Sequence, residues 1–400
     1  MDRTCPNAQP FRTVACSVLF VSLLFFLTFI ARFIFSPLMP TISGEIAIAP
    51  GQVGALFFMA ATGGLLGSLA AGSISTRFDH RGSLLTAVFG IAVVLLVSAL
   101  VRSVWALASV LFALGLFSGI CQPSVVAVIT AMVRKEDWGK ALSVQQAAPP
   151  LGLVAAPLLA VGLLTVFSWR LSLASVGLFA IVLGVVLIRF RGRADFPGDP
   201  PRLRLVRPFF RLRSFWLMIG LMALGMGAQV GVYTMLPLFL TEEKTMSIPT
   251  ANALLGIANI PPLAMVFVAG WVTDRVGEQW AMFGALCLTG AATVLVGAAD
   301  GPWLRAGIFL LPAFAVCFFP PAFSALSRIV QPNRRSVMAA LAPPIAFILG
   351  GGLLPIALGY MGQNYTYGGG IAMFGVATVA CSAGAFLVRL LREDEMEEGC

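Results

Sequence analysis

Residues 189 to 213 read "RFRGRADFPGDPPRLRLVRPFFRLR", eight arginines set among prolines and glycines. Such a stretch is too charged to enter hydrocarbon and too rich in Pro and Gly to continue a helix. On both sides of it the chain is apolar. Over 400 residues it is 59% hydrophobic and 11% charged, with a mean hydropathy of +0.94. That leaves too little polar surface to cover a soluble globule. Runs long enough to cross a bilayer, roughly 20 residues, fall near 17 to 43, 52 to 76, 83 to 101, 104 to 133, 141 to 166 and 170 to 188 before the basic stretch. After it they fall near 214 to 240, 249 to 273, 279 to 299, 305 to 327, 336 to 360 and 369 to 388. The sequence therefore predicts an all-α membrane protein with twelve transmembrane helices, six on each side of a basic linker. No alternating ten-residue strand pattern supports a β-barrel.

Charge fixes the expected orientation, because short cytoplasmic loops retain Lys and Arg. With a cytoplasmic N-terminus, that side receives 21 of the 26 basic residues, including the eight arginines of the linker. The other side keeps Arg102, Arg170, Lys244 and Arg305, and Arg32 alone falls inside a span. The expected setting is a cell membrane, the bacterial inner membrane, with both termini cytoplasmic. The net charge of +9 is then a topology signal, and nucleic-acid binding is not expected. Seven cysteines are scattered without a C-x-x-C pair and read as small packing residues. The first apolar run lacks a following small-residue cleavage site, so it is expected to persist as a helix rather than leave as a signal peptide.

The halves, 1 to 190 and 214 to 400 around the 191 to 213 linker, repeat one plan. Pro40 and Pro237 differ by 197, Gly72 and Gly270 by 198, Pro123 and Pro320 by 197, and Pro149-Pro150 and Pro343-Pro344 by 194. Ordered landmarks at nearly constant offset indicate parallel six-helix repeats. The proline pairs are expected to free carbonyls inside helices five and eleven, as gating or merely structural kinks. "GGLLGSLAAG" from Gly63 to Gly72 repeats small residues at four-residue spacing, which favours close helix contact.

Two such halves resemble the plan of the major facilitator superfamily, whose members hold substrate near the midplane between the repeats. The loop "GWVTDRVG", Gly270 to Gly277, is similar to that superfamily's G-x-x-x-D-R-x-G signature. Its first-half counterpart, "GSISTRFDHRG", keeps Gly72 and Arg77 but has Thr76 where the family usually has Asp. Gly270 and Gly277 suit a close approach and a tight turn, and Asp274 and Arg275 can bridge neighbouring helix ends. The resemblance implies that Asp274 and Arg275 form a conformational latch, with transport by rocking one half against the other, a small-molecule substrate, no cofactor and a monomer.

An arginine at the bilayer centre costs roughly 2.5 to 3.5 kcal/mol on insertion scales, so Arg32 needs a partner, a wet cavity or a function. If helix one ended near residue 31, the side chain would snorkel to the headgroups. If helix one runs to about 43, as the repeat offset implies, Arg32 is central and its repeat mate is Gln229. The two would then face one cavity, a guanidinium fork suited to oxyanions with a carboxamide opposite. Tyr233, one turn beyond Gln229, is a further candidate contact, with packing an equal reading for both; Gln122, Gln145 and Asn259, with Gln146 and Asn252, offer uncharged groups able to orient a small polar ligand. Arg32 with Pro40 eight residues on also resembles the organophosphate, anion and cyanate branches of the superfamily. The second basic residue of the phosphate exchangers is replaced here by Gln229, which favours a monoanion. Gly115 stands where the superfamily's helix-four arginine is expected, and the helix-five G-x-x-x-G-P drug-antiporter pattern is missing.

All 17 acidic residues fall outside the predicted spans, and His80, the one histidine, is expected in a loop. Uniport, exchange, or a proton carried with the substrate is therefore expected over a buried carboxylate relay. The alternative is an efflux carrier for sugars, drugs or other neutral or cationic compounds. Neither a catalytic triad, a metal-ligand cluster nor a P-loop is legible, so enzymatic activity is not expected.

Overall fold

A computed structural model describes residues 9–189, 196, 209–330 and 335–388. Among them the chain is almost wholly helical, with one isolated bridge between Gln9 and Val133. Helix α1 is Phe11–Ile46. Pro50–Ser98 is one continuous helical assignment that holds two helices, because Asp79 (φ 61°, ψ 171°) turns the backbone sharply. We name them α2, 50–78, and α3, 80–98. There follow α4 (Val104–Met132), α5 (Lys135–Leu164) and α6 (Trp169–Arg189). The second half holds α7 (Arg213–Glu243), α8 (Ile248–Val276), α9 (Glu278–Ala298), α10 (Gly301–Arg328), α11 (Leu341–Asn364) and α12 (Tyr367–Leu387). Twelve helices result among the described residues, at the expected places. Most of the arginine-rich linker and the acidic tail after 388 lie outside the described residues.

The chain forms two compact units, Met1–Ile46 with Met59–Pro201, and Ala47–Phe58 with Arg202–Cys400. The exchange of 47–58 differs from a simple division at the linker. Its cause is backbone contact within the second unit. A Cβ on Gly54 would fall 2.2 Å from the Pro355 carbonyl oxygen, and one on Gly359 would fall 2.4 Å from that of Pro50.

In the first unit α1 packs on α4 and α5, burying Val18, Val21, Leu24, Leu38 and Ile42 completely. The glycine repeat of α2 closes on α4 as its spacing predicts. A Cβ on Gly63 would lie 2.1 Å from the Phe112 oxygen, and one on Gly67 would lie 2.0 Å from the Leu116 oxygen. Only glycine permits backbones this near. In the second unit a core of Phe215, Met218, Met222, Leu286 and Phe318 joins α7, α9 and α10.

Both proline pairs fall inside helices. Pro343 and Pro344 lie within a helix, as expected. Pro149 and Pro150 lie within α5 in the same way: Ala147 keeps right-handed helical backbone, its N–H donates to the Ser143 carbonyl at 3.1 Å, and the Leu151 N–H donates to the Ala147 carbonyl at 3.2 Å. Neither proline has an N–H to offer the carbonyls one turn back, so each pair interrupts the bonding inside a continuing helix.

Candidate functional site

Helix α1 does not stop before Arg32. Its first segment, Phe11–Phe33, passes through Ile34 into Phe35–Ile46, with Ile34 N–H donating to the Ile30 carbonyl at 3.0 Å. The arginine is therefore interior to a 36-residue apolar helix and not at the end of a shorter one. Its side chain is half-buried. The guanidinium lies against α2 at Gly64, where an added Cβ would be 3.9 Å from a terminal guanidinium nitrogen. The same virtual Cβ is 3.9 Å from the Gly115 oxygen of α4. Gly115 and Gly119 bring α4 down on α2, since a Cβ on Gly115 would meet the Ala60 oxygen at 2.1 Å and one on Gly119 the Gly64 oxygen at 2.2 Å. This packing gives a physical reason for glycine at 115: no arginine fits there while the helices touch. Ser68 fastens the seam by donating to the Gly119 carbonyl at 3.3 Å.

Two other candidates belong to the first unit. Gln122 is exposed on α4. Gln145 is 1% exposed, and its Nε2 has no hydrogen-bond partner among the described residues. A buried orphan donor costs about 1 to 3 kcal/mol, so such a group suits a ligand or water contact.

In the second unit Gln229 is half-buried within a π-helical turn, Gly227–Val232, and makes no side-chain hydrogen bond among the described residues. Tyr233 follows it and is buried. A second π-helical stretch, Ile348–Leu353, packs against the first through glycine: a Cβ on Gly231 would lie 2.4 Å from the Gly350 oxygen. Such π-turns mark departures from regular helix that often serve functional sites. Asn259 is buried, and its amide donates to the Leu255 carbonyl at 2.8 Å, four residues back. That bond, followed by Pro261 and Pro262, ends the first segment of α8, which gives Asn259 a structural duty.

The signature loops place their charges unequally. Gly277 has φ of 83°, a left-handed value that glycine adopts freely. Asp274 is exposed with no ion pair among the described residues, and Arg275 stacks over Trp271 at 4.1 Å. The bridge between helix ends is made by a residue the sequence reading passed over. Glu278, directly after Gly277, accepts from Arg328 at 2.7 Å and from Ser324 at 3.1 Å, tying α9 to α10. In the first-half loop Gly72 accepts from Ser75 at 3.1 Å, and Arg77 is exposed over Phe78 at 5.6 Å. His80 is not in an open loop. It is 8% exposed, its Nδ1 lies 3.3 Å from Ser124 Oγ, and its ring packs at 4.7 Å on Phe196. The acidic inventory also needs correction. Glu45, Glu242 and Glu243 lie in the last turns of α1 and α7, and Glu136, Asp137 and Glu278 in the first turns of α5 and α9, rather than beyond them; Glu242, exposed, accepts from the Tyr367 hydroxyl at 3.3 Å. No cluster of three or more metal-ligating side chains occurs among the described residues.

The sequence model of the Major Facilitator Superfamily matches residues 21–341 and 230–399. The chain belongs to that superfamily. It is accordingly an integral membrane transporter, and superfamily members bind small-molecule substrates within the membrane. Among its relatives, the uncharacterized MFS-type transporter YceJ of Bacillus subtilis (strain 168) is 21% identical over 321 residues, covering 78% of this chain and 80% of that protein. In three dimensions it is similar to a bacterial homolog of the human lysosomal transporter Spinster in an inward-facing, unoccupied conformation. The TM-score is 0.81 at 16% identity, covering 95% of this chain and 97% of that one. A D-xylose-proton symporter matches with a TM-score of 0.79 at 17% identity, over 95% of this chain and 98% of its own. At such identities the likeness to superfamily structures shows the fold alone.

Proposed function

We propose that this transporter moves a small organic or inorganic monoanion, bound by Arg32. The observation that carries the reading is the interior placement of Arg32 in an unbroken 36-residue apolar helix, its guanidinium packed against Gly64. A guanidinium offers a planar fork of donors, matched to carboxylate and related oxyanions. Gln145, in the same unit, supplies an uncommitted buried donor. Gln229, the repeat counterpart of Arg32 in the sequence, is a neutral carboxamide on a π-helical turn, so the repeat-related pair of positions carries one fixed positive charge rather than two. That balance favours a single negative charge on the substrate. Asp274, Arg275, Glu278 and Arg328 act apart from substrate, in setting the preference between access states.

The test is a panel of small anions, sugars and cationic drugs added to the purified protein, read as shifts in thermal unfolding. Stabilisation by carboxylates or other monoanions, reduced in Arg32→Gln, is the expected result. Stabilisation by sugars or drugs that Arg32→Gln leaves unchanged would instead establish an efflux or uptake carrier for neutral or cationic compounds.

A further inference from the structure

At one end of the first unit three helix termini enclose a pocket of about 680 Å³ lined by Glu45, Ile46, Ala99, Leu100, Arg102 and Arg170. It lies at the end of α1, the connection after α3 and the start of α6, on the face that the charge count makes extracytoplasmic. Its polar wall is built. Trp169 is buried and donates from Nε1 to Glu45 Oε2 at 2.6 Å. Arg170 pairs with the other oxygen of Glu45, donates to the Val101 carbonyl at 3.0 Å and stacks on the Trp169 ring at 4.2 Å. Arg102, adjacent to Val101, is exposed and has no ion pair among the described residues. Glu45 balances one of the two arginines, so the lining carries one surplus positive charge.

The Glu45 carboxylate spends one acceptor site on each of its two donors, and its side chain is 50% exposed. A carboxylate has roughly four acceptor sites, so about two remain open towards the pocket. Leu100 in the lining is 78% exposed, and Trp105, in the first turn of α4 just after Arg102, is 85% exposed. Tryptophan at a helix end beside charged groups marks the headgroup level of a bilayer. A ligand suited to this setting has one negative charge for Arg102 and Arg170, hydroxyl donors for Glu45 and an attachment at the interface.

We propose that this pocket binds the phosphodiester monoanion of a polyol headgroup, presented by a membrane lipid or as a soluble glycerophosphodiester. The site is separate from Arg32 and does not depend on what the transporter carries. The full-length protein is reconstituted into nanodiscs of phosphatidylcholine with or without phosphatidylglycerol, and thermal unfolding is recorded. In a second arm glycerophosphoglycerol is titrated onto the protein in detergent. Arg102→Gln, at an exposed position, is compared with Arg305→Gln, an exposed arginine outside the pocket. Phosphatidylglycerol is expected to stabilise the parent and Arg305→Gln, with the increment at least halved in Arg102→Gln. A response in the nanodisc arm alone assigns the lipid as the source. A response to the soluble diester as well, weakened on the order of tenfold in Arg102→Gln, assigns the headgroup chemistry itself. No response in the parent, an undiminished response in Arg102→Gln, or equal losses in both variants would overturn the proposal.

Discussion

The Arg32 guanidinium packs against Gly64: a Cβ built at residue 64 falls 3.9 Å from one of its terminal nitrogens. That separation is ordinary van der Waals contact, so a methyl group fits and anything longer does not. Gly64→Ala is therefore expected to transport within about threefold of the parent, whereas Gly64→Leu displaces the guanidinium and should lose on the order of tenfold or more in substrate affinity. Titration of substrate against thermal shift checks both. Equal affinity in Gly64→Leu and the parent would separate Gly64 from the site.

Gly115 is tighter, with its virtual Cβ 2.1 Å from the Ala60 carbonyl oxygen. Here even alanine forces α2 and α4 apart. Overpacking of this kind costs typically about 1 to 3 kcal/mol. Gly115→Ala should lower the unfolding temperature and the folded yield in detergent, while Gly139→Ala, at a glycine with open space around it, serves as the neutral comparison.

At the signature loop, Glu278 holds the ion pair and Asp274 stands exposed. Glu278→Gln is expected to lower stability by about 1 kcal/mol, the upper end for a partly exposed pair, and Asp274→Asn by less. Both should slow transport while leaving substrate affinity within a few-fold. An affinity loss in Asp274→Asn as large as that from an Arg32 substitution would remove it from a latch role.

The placement of these groups shows what a one-dimensional reading captures. Apolar runs and the arginine-rich linker gave all twelve helices, because bilayer thickness and hydrocarbon polarity act on local composition. The α2 glycines were legible for the same reason, at helical spacing. Contacts between distant segments were not. Glu278 finds Arg328 fifty positions away, and His80 is covered by Ser124 and Phe196, neither of which is local to it. The π-helical turns at 227–232 and 348–353 arise from packing of glycine on glycine, which no single-segment pattern announces. For the candidate site, the continuation of helix one past Arg32 followed from the repeat offset, whereas the structural bond of Asn259 did not.

The carboxylate Glu242, exposed at the end of α7 and hydrogen-bonded by Tyr367, is the group against which proton coupling is best tested. It lies in the last turn of α7 rather than in mid-span. Exchange of labelled substrate across proteoliposomes is expected to continue after an uncoupler collapses the proton gradient, and Glu242→Gln should exchange at the parental rate. Abolition of exchange by the uncoupler would show obligatory proton coupling.

The most direct measurement is substrate uptake by proteoliposomes holding equal amounts of folded parent, Arg32→Lys and Arg32→Ala. An ammonium keeps the charge but loses the planar fork and is more strongly hydrated. Arg32→Lys should therefore be nearly as impaired as Arg32→Ala, each losing on the order of tenfold to a hundredfold in affinity for an anionic substrate, with Gln229→Ala milder. If Arg32→Ala folds normally and takes up substrate at the parental rate, Arg32 does not bind the substrate and the anion assignment is wrong.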